Sequence, residues 1–338
     1  MRIRIAILGA LFVIPITVFA QKDSVKMSIR ERYVDSIKKS TYPYTFPAWG
    51  QKIVKKGIDL PLPAGIMVNY FVGSQLVNIS NLQVGFNGGP LVPLDFIKFG
   101  QVKASFQSVS ARVDLWVLPF VNLYGIAGET FASTNVNITA PVNFSSTANF
   151  RGPTTGVGLS VGGAVRGIFG IVDYNNTWSF LDGIKGSVYT QSVSPRIGHA
   201  IPFKNHPEEN ITLWVGASGI FINRTTEGSI NLSDLNSNVS QQTLDDIKNE
   251  TAAWYQTLSP AQKVVVKQIA GAISDKISGL DVKDASIQYS LEKRATSHWS
   301  MLTGGQFQLN RRWQFRAEAG FLGGRTSGLA SFNYRFGF

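Results

Sequence analysis

The sequence predicts an all-β chain, a transmembrane antiparallel up-and-down β-barrel of about ten strands, with twelve as the alternative count. Three observations carry that expectation. The final segment alternates, with Ala330, Phe332, Tyr334, Phe336 and Phe338 on one face and Ser331, Asn333, Arg335 and Gly337 on the other. Successive side chains of a strand point to opposite faces, so one face is aromatic and the other polar. After the first 20 residues no apolar run is long enough for a spanning helix, and lipid is crossed only by helices or closed barrels. Finally, the connections between strands fall into a short set and a longer set, as membrane barrels require. A soluble β-sandwich also alternates, but explains neither the aromatic face nor the loop asymmetry.

The chain opens on the basic segment Met1 to Arg4, followed by the apolar run Ile5 to Ala20 and the abruptly polar Gln21-Lys22-Asp23. Residues 1–20 read as a secretory signal peptide. No cysteine is present, which leaves no lipid-anchoring thiol, disulfide or thiolate metal ligand. The net charge of +11 raises nucleic acid as a partner. Export argues against it, and no basic helix interleaved with aromatics appears. Anionic lipopolysaccharide, or an inward-facing network of ion pairs, accounts better for the charge.

Residues 21–63 are polar, basic and poorly alternating, with an aromatic and proline patch from Tyr42 to Trp49. They read as a periplasmic lead-in, either flexible or folded back as a partial plug. The barrel proper is expected over 64–338. Ile66, Val68, Tyr70 and Val72 form its first apolar face. In the strand ending at Leu118, Val109, Ala111, Val113 and Leu115 oppose Ser108, Ser110, Arg112 and Asp114. After Pro119-Phe120 a strand returns through Asn122 to Glu129. Strands follow over 156–167, 169–180, 185–201 and 211–224, and two more are led by Trp299 and Trp313.

Counted back from Phe338, the turns at Pro119, Gly167, Pro202 and Asn310 share the periplasmic side with both termini. Segments 77–100, 132–153, 181–184, 225–284 and 323–327 are expected as external loops. Within the longest of these, residues 231–283 change to a helical period. Leu244, Ile247, Trp254 and Leu258 make one stripe. Ser259-Pro260 supplies an N-cap and first-turn proline, and Val266, Ile269, Ile273 and Ile277 make a second stripe. A helical hairpin with mutually packed stripes is expected there.

The phrases Val113 to Gly125, Ser194 to Gly198, Leu213 to Ala217, Glu318 to Phe321, Gly324 to Ser327 and Tyr334 to Phe336 resemble a functionally uncharacterised family of gram-negative outer-membrane β-barrel proteins. The resemblance covers Gly65 to Phe338 without the insert. It implies residence in the outer membrane and carries over no catalytic residue. Tyr334, Phe336 and Phe338 are similar to the final-strand signal read by the barrel-assembly machinery.

The inward phase collects Arg112, Asp114, Arg166, Asp173, Arg196, Arg316, Glu318 and Arg335 into one lumen. A ten-stranded barrel is narrow, so these charges must pair or cost several kcal/mol each. They predict a structural network that fills the lumen, giving a structural or surface-interaction protein. The alternative is a narrow passive channel for small solutes, with an anion preference set by the excess of arginine. A surface hydrolase would need His298 as base beside Ser300, but no acidic residue is positioned to orient that histidine. His199 and His206 fall near the periplasmic end without ligand-like spacing. The glycine run 156–163 lacks the lysine of a phosphate loop and lies mid-strand. No enzyme activity, cofactor or metal is expected.

Overall fold

The computed structural model describes residues 27–95, 97–140, 144–165, 167–223, 225–231, 236–237, 255–277 and 286–338. The expected signal peptide, Arg166, and the first helical stripe at Leu244, Ile247 and Trp254 lie outside the described residues.

Two helices, α1 (Ile29–Lys39) and α2 (Gly50–Val54), precede β1 (Ala64–Phe86). Then come β2 (Val92–Pro93), β3 (Lys98–Phe99), β4 (Val102–Leu118), β5 (Val121–Ala140), β6 (Phe144–Val165), β7 (Ile168–Ser179), β8 (Val188–Pro202) and β9 (Asn210–Ile222). The insert region holds β10 (Thr225–Asn231), β11 (Asn236–Ser237), α3 (Pro260–Ile277) and β12 (Ser286–Ala295). The chain finishes through β13 (Trp299–Gln308), β14 (Trp313–Phe321) and β15 (Arg325–Phe336).

Ten of these strands close a ring. Strands β4 to β9 pair in chain order, β9 pairs β13, β13 pairs β14 and β14 pairs β15. Strand β1 then pairs both β4 and β15, from Ala64↔Phe336 to Gln75↔Arg325 on the second side. Every neighbouring pair is antiparallel, and closure leaves no unpaired edge in the ring.

The outer face of the ring is apolar and uncovered. Val113 is 58% exposed and Val215 55%, and Ile66, Val68, Leu123, Val157, Ile197, Leu213, Phe315 and Phe332 are exposed with them. So wide an apolar band is far beyond what water tolerates, and it is the surface a barrel turns to lipid. Aromatic clusters flank it. Trp313 stacks on Phe332 and lies 4.5 Å from Tyr334 near the rim that carries α1 and the C-terminus, and Trp178–Tyr189 and Phe221–Trp299 lie near the far rim. Their amphipathic rings suit the two interfaces of a bilayer.

Two expectations are corrected above the far rim. Segments 77–100 and 132–153 are largely strand rather than loop: β1 runs for 23 residues, β5 for 20 and β6 for 22. Strand β12 adds to the upper half of β1, from Val77↔Ala295 to Phe86↔Ile287, and β10 adds to β12. The loop after β7 then closes this upper wall. Asp182 donates its backbone N–H to Arg151 on β6, and Lys185 and Ser229 join the loop to β10. A second, smaller ring therefore stands on the first. Asn, Ser and Thr are abundant in these strands because, clear of lipid, both faces of a strand can be polar.

The described half of the insert caps as expected. Ser259 Oγ accepts from the Gln262 N–H, and Gln262 Oε1 accepts from the Ser259 N–H, a reciprocal capping box. The expected packing of the two stripes on each other lies outside the described residues; the second stripe also meets the sheet. Val265, rather than Val266, is the buried position, and with Ile269 it packs on Val84, Val92 and Leu94 of the upper wall. The sheet beneath offered a ready apolar face.

From Met27 onwards the lead-in is folded. Ser28 and Glu31 form a capping box that starts α1, and Lys38 and Lys39 end it where the helix dipole favours cations. Ala48 donates to the Val117 carbonyl, Trp116 donates to the Pro63 carbonyl, and Trp49 lies 6.3 Å from Phe120. The lead-in thus lies against the terminal rim, at the mouth of the lumen. Tyr33 donates to Asp59 at 2.5 Å, and Arg311 of the β13–β14 turn donates to Asp59 at 3.0 Å. Burial, then the bonded carboxylate of Asp59, pushes the Tyr33 phenol up to about 12.

Candidate functional site

Inward side chains from eight ring strands meet at one level of the lumen. Arg196 on β8 donates to Asp173 on β7 at 2.5 Å and to Glu318 on β14 at 2.7 Å. Glu318 also accepts from Arg316 at 2.6 Å and from the Trp214 indole on β9 at 2.8 Å. On the other side Arg112 lies 3.9 Å from Asp173 and donates to Asn122 Oδ1 at 2.9 Å. Asn122 in turn donates to Asp114 at 2.6 Å, and Arg335 donates to the same carboxylate at 3.2 Å. Ser160 donates to Asp173. One connected chain of charge and hydrogen bond therefore runs from Glu318 to Arg335 across the barrel.

Seven of the eight residues expected in the lumen network are brought together in this way; Arg166 lies outside the described residues. Four arginines face three carboxylates, which leaves one formal positive charge within the set. Aromatic faces support the guanidinium groups: Arg112 lies 3.6 Å from the centre of the Tyr124 ring, and Arg316 lies 5.2 Å from that of Trp214. Room for Tyr124 comes from Gly158, where an added Cβ would stand 2.4 Å from the phenol ring.

Sequence reasoning missed Asn122, Ser160, Tyr124 and Trp214, which are uncharged or aromatic. Their inward phase was available as a signal. Asn122 pairs with Ser160, and Ser160 with Asp173, along one rung of the sheet.

The charged layer divides the lumen into two cavities. The one on the terminal side has a volume of ≈ 420 Å³ and is bounded by Asp59, Leu60 and Pro61 of the lead-in. The far one, of ≈ 510 Å³, is a vestibule that continues towards the upper ring. Arg112, Asp173, Arg196 and Arg316 line both. Arg335 binds the lead-in directly, donating to the carbonyls of Leu62 at 2.9 Å and Pro63 at 3.4 Å.

One further arginine was missed by the sequence reading, which put 323–327 in an external loop. Arg325 instead begins β15, is 4% exposed, and points into the vestibule. His298 stacks on Phe221 at 5.1 Å. Ser300 Oγ donates to the Ser218 carbonyl and accepts from Arg325, and among the described residues no hydrogen bond joins it to His298. At the terminal rim the β8–β9 turn brings His206, Glu208 and Glu209 within 4.8 Å of one another, partly exposed.

A closed ring, an uncovered apolar belt and a charged interior decide the class. The chain is a membrane-type β-barrel. No protein-family model matches its sequence, and no curated protein matches it. Among solved structures it is similar to the beta domain of the Bordetella autotransporter BrkA, at 11% identity over 81% of this chain and 100% of that one, with a TM-score of 0.38. It is similar also to the outer membrane protein OprG from Pseudomonas aeruginosa (10% identity, 82% and 98% covered, TM-score 0.37). A third is the translocator domain of the autotransporter NalP from Neisseria meningitidis (10% identity, 84% and 93% covered, TM-score 0.35). At these scores the likenesses assign no function.

Proposed function

We propose that this barrel is exported to the outer membrane, where it acts as a structural or surface-interaction protein with a closed lumen, not as an enzyme. The observation that carries the reading is the charged layer that separates the two cavities. Its members hold one another, and opening it would leave buried charges unpaired at a cost of several kcal/mol. The lead-in supports the same reading, because it packs at the terminal mouth and is bonded there by Arg335 and Arg311. Contacts with other molecules then fall to the upper ring and α3. Lipopolysaccharide is the expected neighbour of that ring, and the barrel-assembly machinery the reader of Tyr334, Phe336 and Phe338, the last of which is 62% exposed.

Planar-bilayer recording tests this reading. The intact protein is expected to give no stable single-channel steps. Steady steps that Arg316→Ala or Arg335→Ala reshape would overturn it. They would favour the second reading, a narrow passive channel, for which the end-to-end cavities with a single layer between them are the supporting observation.

A further inference from the structure

We propose that the vestibule is a binding site for an amphipathic carboxylate, with the anion on Arg325 and the apolar body along the vestibule wall. The inference takes the charged layer as the floor of the site, and so rests on the closed-lumen reading.

The two levels of the lumen treat arginine differently. In the charged layer Arg196, Arg316 and Arg335 each hold a carboxylate, and Arg112 lies near one. Arg325 holds none. It donates to the Gln75 side-chain oxygen at 2.7 Å, to the Ser218 carbonyl at 3.3 Å, to Ser300 Oγ at 3.4 Å and to the His298 carbonyl at 3.4 Å. All four partners are neutral. A guanidinium carries five N–H donors, so among the described residues one is still free, and three of the existing bonds are long.

A charge so placed is expensive to keep unless something neutralises it. Proteins usually supply that neutralisation from within, as this one does lower down. At Arg325 the bonded shell is instead built to hold the guanidinium in position while leaving its charge uncompensated. That is the arrangement of a preformed anion site.

A second cation continues the pattern. Lys293 of β12 is half-buried in the same cavity, 5.8 Å from the Phe150 ring, with no carboxylate partner among the described residues. On β1 its register partner is Ile79, and that of Arg325 is Gln75. The two partners are four residues apart on one face, about 13 Å along the strand. An incoming anion would meet Lys293 on the upper wall first and Arg325 below it.

The remaining wall selects the body of the ligand. Phe71 and Phe106 stack at 5.5 Å, and with Ile126, Leu302 and Leu329 they line the space between Arg325 and the charged layer. A volume of ≈ 510 Å³ lies within the usual range of small-molecule sites, about 300–1,000 Å³. Small inorganic anions would gain the charge contact but leave the apolar wall wet. Neutral apolar molecules would fill the wall and leave Arg325 uncompensated.

The test is equilibrium dialysis of the folded full chain in neutral detergent with 4-phenylbutyrate, 4-phenylbutan-1-ol and acetate, corrected for empty micelles. The carboxylate is expected to bind about ten-fold more tightly than the alcohol, and acetate to bind far more weakly. Arg325→Gln, with folding checked by the heat-modifiable gel shift, should remove the preference for carboxylate and leave alcohol binding unchanged. Lys293→Gln, at an edge of the site, is the second variant and should lower carboxylate affinity by a smaller factor. Equal binding of carboxylate and alcohol overturns the proposal, as does a preference lost in Lys293→Gln but intact in folded Arg325→Gln. A conducting barrel that still prefers carboxylate would refute the closed lumen and leave the site standing.

Discussion

Arg335 and Asp114 meet across the side-chain-free Gly65. Both are register partners of that glycine, one from β15 and the other from β4, and their charged groups lie 3.2 Å apart. The last strand of the chain is thereby tied to the strand on the opposite side of β1. A Cβ on Gly65 would stand 2.7 Å from Asp114 Oδ2 and 3.0 Å from Arg335 Nη1. We expect Gly65→Val to separate the pair and destabilise the barrel by about 3–5 kcal/mol, as breaking a buried ion pair does. The midpoint of the heat-modifiable gel shift measures it, and an unchanged midpoint would show that the pair contributes little.

Glu318 accepts from Arg196, Arg316 and Trp214 at once, so its loss should cost more than loss of any one donor. Glu318→Ala leaves two neighbouring arginines without their shared carboxylate. The expected results are a lower unfolding midpoint, by about 3–5 kcal/mol in stability, and anion-preferring leak steps in a bilayer. Retention of the wild-type midpoint would argue that water compensates those arginines.

The contact of Tyr33 with Asp59 should weaken in alkali. Its phenol is raised to about 12 in the folded state, against about 10 when free. A raised value means that the folded protein favours the protonated form. The contribution is therefore whole below about pH 10 and is lost as pH rises towards 12. Hydrogen exchange or protease cleavage over residues 29–39 should increase across that window and not below it. Tyr33→Phe should abolish the dependence.

Val265→Asp should release α3 from Val84, Val92 and Leu94 while leaving the ring intact. Limited proteolysis of the insert would then speed up with no change in the gel-shift midpoint. Loss of both together would make α3 part of the barrel's cooperative unit.

What could be read beforehand follows the physics of each region. Within lipid, a slip of one residue would turn Arg316 and Arg335 outward, so strand phase is imposed and the alternation is plain. Above the far rim neither face needs to be apolar, and Asn137, Ser145 and Thr147 look like loop residues although they belong to β5 and β6. The charged members of the lumen layer were visible from phase alone. Asn122 and Trp214 share that inward phase, but a neutral side chain is marked as a member only once cross-strand geometry sets it beside a charge. Arg325 was hidden by Gly323-Gly324 before it, a pair with positive φ that reads as a turn, and the strand resumes at Arg325, three residues earlier than expected.

The unequal strand lengths give the molecule stature. Strand β1, at 23 residues, follows a path of about 75 Å, and at a tilt of roughly 35–45° it climbs about 55 Å. The apolar band of such a barrel accounts for about 25 Å of that height. Roughly half of the tallest wall therefore projects beyond the hydrocarbon. A visitor too large to enter the lumen can still touch the crown of this protein, and a small one can descend inside it.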